Sequence, residues 1–452
     1  MSLFRRLTAL WREDPLLRSV VRNTSYLFSG NTVSMGLISL QGLLAASLLG
    51  AANYGILGAI TAFASNVNRL LSFRMNELVV KFGGAYLAEG QKPRAAALVK
   101  AAGLTEMVTS FTAYGLLFLL AEWGATVFIK DPAAAFWIRI YGLALLANLA
   151  SESSQAVLQL GRHYRTQAAL ALTQNIITAA WILAAFLLKG DIYDVLMAYL
   201  VGKSLYGLGM LTAALYYSNS LLNPGWWKEP LRGMEDWRGM AKFAFSTNLS
   251  QTVNLLNRDS EILWISYFLS SVEAGYYKFA LAIMNVILMP ISPFIHTTFP
   301  EITRSVTKKA WKQVRNLLKR TSTIALVWTS AAAAGLLLFG KWGLSIYKGG
   351  EFLPSLPIIW ILLVGFGFAN VFYWNRLLIL AFNRPKFPLV VTTIAGLVKI
   401  GLMFLLVPIY GVTMQAILMS LYFVSSISVI SLEGLKALSK AEKAHPDIGA
   451  AA

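Results

Sequence analysis

Apolar residues run through this chain in stretches long enough to cross a bilayer, and short polar breaks separate them. Ala168–Leu188 is the clearest stretch, with Thr173, Gln174, Asn175 and Thr178 as its polar interruptions. About 20 helical residues, at about 1.5 Å each, cover the hydrocarbon. Placing the breaks along the chain predicts twelve helical spans, near 23–49, 53–80, 95–121, 133–158, 166–188, 191–216, 240–269, 273–298, 319–340, 354–381, 387–408 and 411–435. Two are imperfect: Asn257-Arg258-Asp259-Ser260-Glu261 interrupts the seventh, and Pro290 and Pro293 interrupt the eighth. Backbone in hydrocarbon must satisfy its own hydrogen bonds, so the expected fold class is an all-α polytopic membrane protein.

The pattern repeats. Leu49-Gly50-Ala51-Ala52-Asn53-Tyr54-Gly55 closes the first span and opens the second; Leu269-Ser270-Ser271-Val272-Glu273-Ala274-Gly275 does the same for the seventh and eighth. Leu160-Gly161-Arg162-His163-Tyr164-Arg165 is echoed by Ala381-Phe382-Asn383-Arg384-Pro385-Lys386 at nearly the same offset. A solenoid repeats every 20–50 residues or so, far less than the separation seen here. In a membrane chain such a repeat predicts two homologous six-helix lobes with a substrate site between them. The expected division is an amphipathic N-terminal arm at 1–22, an N-lobe at 23–216, an interfacial linker at 217–239, a C-lobe at 240–435 and a polar, disordered tail at 436–452. Both lobes start from the same side, so the repeat is parallel.

Composition agrees. Charged residues make up 13% of the chain, against about 25% in soluble domains. The net charge of +18 would suit nucleic acid if it formed a patch, but Lys and Arg gather in the loops of one side. Lys92, Arg94, Arg162, Arg165, Lys228, Arg232, Arg304, Lys308, Lys309, Lys312, Arg315, Arg384 and Lys386 share that side with both termini. The opposite loops hold Lys130, Lys189, Lys341 and Lys348. By the positive-inside rule both termini are expected in the cytoplasm. The N-terminal arm, with Leu3, Phe4, Leu7, Leu10 and Trp11 among arginines, reads either as a helix on the inner leaflet or as a frayed tail. The chain has no cysteine. It carries no phosphate-binding GxxxxGK[ST] loop, no HExxH and no nucleophile beside a base, so neither an enzyme nor a cofactor or metal site is expected.

Ionisable residues inside spans point to function unless they are paired. Lys203 and Lys399 each lie about twelve residues into a span, too deep to reach an interface. Arg69 lies two-thirds along the second span, on one stripe with Asn66, Phe73 and Asn76. Arg258, with Asn254 and Asn257, falls in the break of the seventh. These residues either form salt bridges between helices or line a hydrated cavity that accepts an anion. The deep carboxylates are few: Glu106, Glu152, Asp259 and Glu261, with Glu106 the main candidate partner. That shortage favours the cavity, and the same four acids are the candidates for coupling to H⁺ or Na⁺. Arg74, with Glu77 and Lys81, and Arg376 lie nearer the basic edge, where pairing or snorkelling competes with a site role; Arg139 and Lys278 near the other edge read as snorkelling. Aromatic residues such as Trp264, Tyr277 and Phe366 could stack on sugars, although packing is the commoner use.

Several motifs resemble a known family. Leu48-Leu49-Gly50-Ala51-Ala52-Asn53-Tyr54-Gly55 looks like the turn after the first span of bacterial polysaccharide flippases, and Leu160–Arg165 looks like their fourth loop. Phe382-Asn383-Arg384-Pro385-Lys386-Phe387-Pro388 and Val407-Pro408-Ile409-Tyr410-Gly411-Val412 look like their region around spans ten and eleven. The likeness covers about 20–435 and departs at Leu269–Gly275, where a serine follows Leu269 in place of glycine. Membership of that family, within the multidrug/oligosaccharidyl-lipid/polysaccharide exporter superfamily, implies two lobes in a V that work by alternating access. It implies a polyprenyl-diphosphate-linked oligosaccharide as substrate, carried from the inner to the outer leaflet of a bacterial cytoplasmic membrane, and family members are often coupled to an ion gradient. The bilayer is the setting. A monomer is expected, with a polymerase and glycosyltransferases of the same pathway as candidate partners. A multidrug or cation exporter of the same superfamily would need deep carboxylates; a membrane glycosyltransferase or polymerase would need a large outer loop or an acidic catalytic motif. The excess of deep Lys and Arg and the short outer loops favour the flippase.

Overall fold

A computed structural model describes residues 15–231 and 237–444, with side-chain surroundings from Val33 onward except at scattered positions between 246 and 297. The arm residues 1–14, the linker residues 232–236 and the last eight residues lie outside the described part. The described chain is helical throughout, without strands. Its helices are α1 Pro15–Leu71, α2 Met75–Leu78, α3 Gly84–Ala88, α4 Lys92–Gly124, α5 Ala134–Ala147, α6 Ser151–Leu160, α7 Tyr164–Leu187, α8 Ile192–Leu222, α9 Trp237–Asn254, α10 Glu261–Phe268, α11 Ser271–Leu288, α12 Ser292–Thr307, α13 Trp311–Ile346, α14 Ser355–Val371, α15 Asn375–Ala381 and α16 Lys386–Ala444. Eight continuous helical stretches of the described residues are long and apolar enough to cross a membrane.

Two of those stretches each carry a pair of predicted spans. α1 folds at Gly50 (φ 71°, ψ 174°) and α16 at Gly411 (φ 72°, ψ −166°). Both turns need a positive φ, which glycine adopts without the Cβ clash. The equivalent turn at Ser270 is built differently. Its backbone is extended (φ −145°, ψ 163°) and its hydroxyl accepts the Glu273 N–H at 3.3 Å, capping α11. Serine in place of glycine is therefore a change of turn geometry and leaves the helix start intact. The break in the seventh span is a π-helical turn, Leu255–Asp259, between α9 and α10. The eighth is split into α11 and α12 near Pro290 and Pro293.

The predicted tail differs. α16 continues as helix to Ala444, with Leu438 fully buried and Arg315 bonded to Glu442 at 2.7 Å. Residues 436–444 follow the helical period of the twelfth span, so a polar composition did not end it.

The halves of the chain meet most closely where α1 crosses α11. A Cβ on Gly55 would fall 1.8 Å from the Ser271 carbonyl oxygen, and one on Gly275 would fall 1.9 Å from that of Ala51. Gly55 and Gly275 are the matching residues of the sequence repeat, as are Ala51 and Ser271. Each glycine thus receives the other helix in the same way, a local two-fold crossing. Polar groups tie this end further. Glu351 accepts the Ala51 N–H at 2.6 Å, Lys348 reaches the Leu48 carbonyl at 3.3 Å and Lys130 the Leu269 carbonyl at 2.8 Å. Lys278 does not snorkel: its ammonium lies 4.1 Å from the Tyr54 ring centre and bonds the Tyr54 carbonyl.

The halves also touch at the opposite, basic end. Asn248 donates to the Ser72 carbonyl, Phe82 meets Phe243 edge-on at 5.7 Å, and the Lys81 ammonium sits 4.2 Å above the Phe243 ring. An open V would leave these groups apart; aromatic and cation–π contacts draw α9 onto the first half.

Candidate functional site

Between these two contact regions lies a cavity of about 330 Å³. The second half of α1 supplies one wall through Gly58, Thr61, Ser65, Asn66 and Arg69; Tyr141 and Lys203 come from α5 and α8. Arg258 and Asp259 of the π turn, Glu261 of α10, Asn285 of α11 and Phe366 of α14 supply the other wall. Both halves of the repeat contribute, as a site between lobes requires.

Three of the predicted cations line it. Arg69 is half-exposed to the cavity and forms an ion pair with Asp259 across the two halves. Lys203 lies with its ammonium 5.0 Å from the Tyr141 ring centre. Arg258 is exposed and stands 5.9 Å from both the Phe366 and Phe423 rings. Among the described residues, no carboxylate pairs with Lys203 or Arg258. The π turn explains the placement of Arg258 and Asp259, because its extra residue shifts the helical face. Adjacent residues that would diverge on a regular helix both reach the same cavity. Asn66 donates to the Ser260 hydroxyl at 2.9 Å and keeps its Oδ1 buried without a partner.

Lys399 is not a cavity cation. It is 4% exposed and its ammonium is bound by Glu261 and by the Asn257 carbonyl at 2.6 Å. It stands behind Glu261, which presents its own edge to the cavity. Gly396, one turn earlier, lets this helix close on the Asn257 side chain, against which any Cβ would collide at 2.0 Å. Asn257 itself is buried and donates to the Thr392 carbonyl at 3.2 Å, so it too is structural. The Asn254 side chain lies outside the described residues.

The remaining candidates sit elsewhere. Arg74, the non-helical residue just before α2, pairs with Glu77 in that helix. Asn76 approaches Glu152 at 3.5 Å, and Arg376 is exposed at the start of α15 away from the cavity. Glu106 is held locally: it accepts the Glu152 and Ser153 N–H groups at 2.8 and 2.9 Å and the Ser153 hydroxyl at 2.7 Å. Its carboxylate caps the N-terminus of α6, where the fourth span breaks, and it does not line the cavity.

Thr61, Ser65, Asn285 and Tyr141 also line the cavity and were not among the residues singled out from the sequence. Gly58, Thr61, Ala62, Ser65, Asn66 and Arg69 recur every three to four positions, so the polar stripe of α1 was available as a signal.

A transporter-type fold with a polar cavity between two repeated halves is the class these observations define. A lipid II flippase, MurJ, in an inward closed conformation shares the fold: TM-score 0.69, 92% of each chain covered, 15% identity. Residues 20–306 match the model of the "Polysaccharide biosynthesis protein" family, and the chain belongs to that family. Among its relatives, the inner membrane protein YghQ of Escherichia coli is 22% identical over 77% of this chain and 98% of its own length. The teichuronic acid biosynthesis protein TuaB of Bacillus subtilis is 23% identical over 61% of this chain and 60% of its own.

Proposed function

We propose that this chain is a flippase for a polyprenyl-diphosphate-linked oligosaccharide, carrying it from the inner to the outer leaflet of a bacterial cytoplasmic membrane for surface or secreted polysaccharide. The observation that carries the reading is the charge of the cavity. Lys399 neutralises Glu261 from behind, and Asp259 offsets Arg69, so two of the three lining cations stay uncompensated. Two positive charges suit the two negative charges of a diphosphate diester, which must leave water to cross. Asn66, Asn285, Thr61 and Ser65 offer donors and acceptors to sugar hydroxyls. The family membership, the teichuronic acid relative and the lipid II flippase fold support the same reading. In it, 23–216 and 240–435 are the alternating lobes, both termini are cytoplasmic, the chain is not an enzyme and works as a monomer, and the glycosyltransferases and polymerase of the pathway supply and consume its cargo. A cation or drug exporter would place uncompensated carboxylates in this cavity; its sign is the opposite.

The test is reconstitution with a fluorescent polyprenyl-diphosphate glycan and a leaflet-accessibility assay. Lys203→Gln and Arg258→Gln each slow flipping roughly ten- to a hundredfold, since one charge-assisted hydrogen bond contributes about 1.5–3 kcal/mol. Lys203→Arg retains part of the activity. Normal flipping by the double variant Lys203→Gln/Arg258→Gln would sink the reading, as would efflux of a cationic dye by the wild type.

A further inference from the structure

Four helical segments converge on one buried carboxylate. Glu261 is 2% exposed. One of its oxygens takes the Lys399 ammonium and the Gln415 amide at 2.8 Å; the other takes the Tyr277 hydroxyl at 2.5 Å. From the side of Lys399, the ammonium has a shell of its own: the Glu261 carboxylate, the Asn257 carbonyl at 2.6 Å, the Met419 sulfur at 3.4 Å and the Tyr422 ring at 5.6 Å. Gln415 is fully buried, and its Oε1 has no hydrogen-bond partner.

We propose that the Glu261 carboxylate and the Asn257 carbonyl form a monovalent-cation site whose occupant is the chain's own Lys399 ammonium, and that removing the ammonium opens the site to free Na⁺. The carboxylate and the backbone carbonyl are hard oxygen donors with one net negative charge, the kind of ligand a hard cation takes, and Gln415 is held on the same carboxylate through its amide N–H, with its own buried oxygen left without a partner. The widened π turn holds the Asn257 carbonyl toward the site. A carboxylate buried this deeply needs a counter-charge, because an uncompensated ion there costs several kcal/mol. The tethered ammonium supplies it permanently. Among the acids that could couple transport to an ion gradient, Glu261 is therefore already loaded. The inference concerns the occupant of this site and stands whichever substrate the cavity takes.

The full chain in lipid nanodiscs tests it, with ²²Na⁺ binding and thermal unfolding in NaCl against choline chloride at equal ionic strength. Wild type is expected to bind no Na⁺ that depends on Glu261 and to unfold at the same temperature in both salts. Lys399→Met is expected to bind Na⁺ at one site per chain, with an unfolding temperature that rises saturably with Na⁺ and does not rise with choline. Lys399→Met/Glu261→Gln should lose both responses. Na⁺ binding by wild type that Glu261→Gln abolishes overturns the proposal. Indifference of Lys399→Met to Na⁺, with Glu261 taking a proton in its place, overturns it as well. Should Lys399→Met fold in neither salt, Lys399→Gln is the second neutral variant; failure of both to fold even in NaCl means that no free ion replaces the ammonium, and the proposal fails.

Discussion

One methyl group decides the crossing of α1 and α11. Gly55 and Gly275 face backbone carbonyls, which cannot rotate away as a side chain would. Gly55→Ala should cost about 1–3 kcal/mol or more through overpacking. Gly115→Ala is the comparison: nothing lies within 4 Å of its added Cβ, and the change removes a helix-interior glycine, worth about 0.5–1 kcal/mol in favour of the folded chain. Thermal unfolding in one detergent should order them Gly55→Ala, wild type, Gly115→Ala from least to most stable. Equal midpoints for Gly55→Ala and wild type would mean that the close crossing is absent. Residue-level legibility in the sequence was uneven for a physical reason. Lys203 and Lys399 lie at equal depth in their spans, and depth alone makes both look like cavity cations. What separates them is a carboxylate 138 positions from Lys399. No helical spacing within one span reveals such a partner. Arg69 and Asn66 were legible because their stripe is local to one helix.

At the scale of elements, hydropathy located the spans and could not say how one passes into the next. The turns at Gly50 and Gly411 keep the helix continuous on both sides, while the turn at Ser270 starts a new helix with a cap. These geometries predict different responses to alanine. Gly411→Ala pays for a backbone region confined essentially to glycine (φ 72°, ψ −166°), about 1–3 kcal/mol, with only an ordinary 3.6 Å contact to Glu273. Gly50→Ala pays the same and also drives its Cβ to within 2.7 Å of the Glu351 carboxylate, so it should be the more destabilising of the two. Ser270→Ala keeps its extended backbone and loses a cap, about 0.5–2 kcal/mol. Chemical-denaturant midpoints in mixed micelles check the ranking of the two glycines. A Gly50→Ala protein as stable as Gly411→Ala would show that Glu351 is free to move aside. The π turn of the seventh span was visible in sequence as a cluster of polar residues, yet its consequence was hidden. Only the added residue in the turn brings Arg258 and Asp259 to one cavity, and a regular helical projection sets them apart.

For the whole molecule, the two contact regions set a condition on transport. A cavity between halves that touch at both ends exchanges a large head group only if each end opens in its turn. The Gly50 end is held by backbone-to-backbone approach at Gly55 and Gly275 and by Glu351 on the Ala51 N–H; the basic end is held by Asn248 on Ser72 and by ring contacts. The absence of native cysteine makes a pair of introduced thiols the sole target of a cross-linker. Ala51→Cys/Glu351→Cys, joined by a short reducible bis-thiosulfonate reagent, should lose flipping and regain it when the link is reduced. Ser72→Cys/Asn248→Cys should behave in the same way from the opposite end. Each single-cysteine variant treated with the same reagent controls for the lost hydrogen bond. Two-sided sensitivity is what separates alternating access from a groove that stays open to one side: a groove would tolerate the link at its closed end. If either linked pair flips its substrate at the unlinked rate, the lobes do not part at that end, and the cargo takes another path.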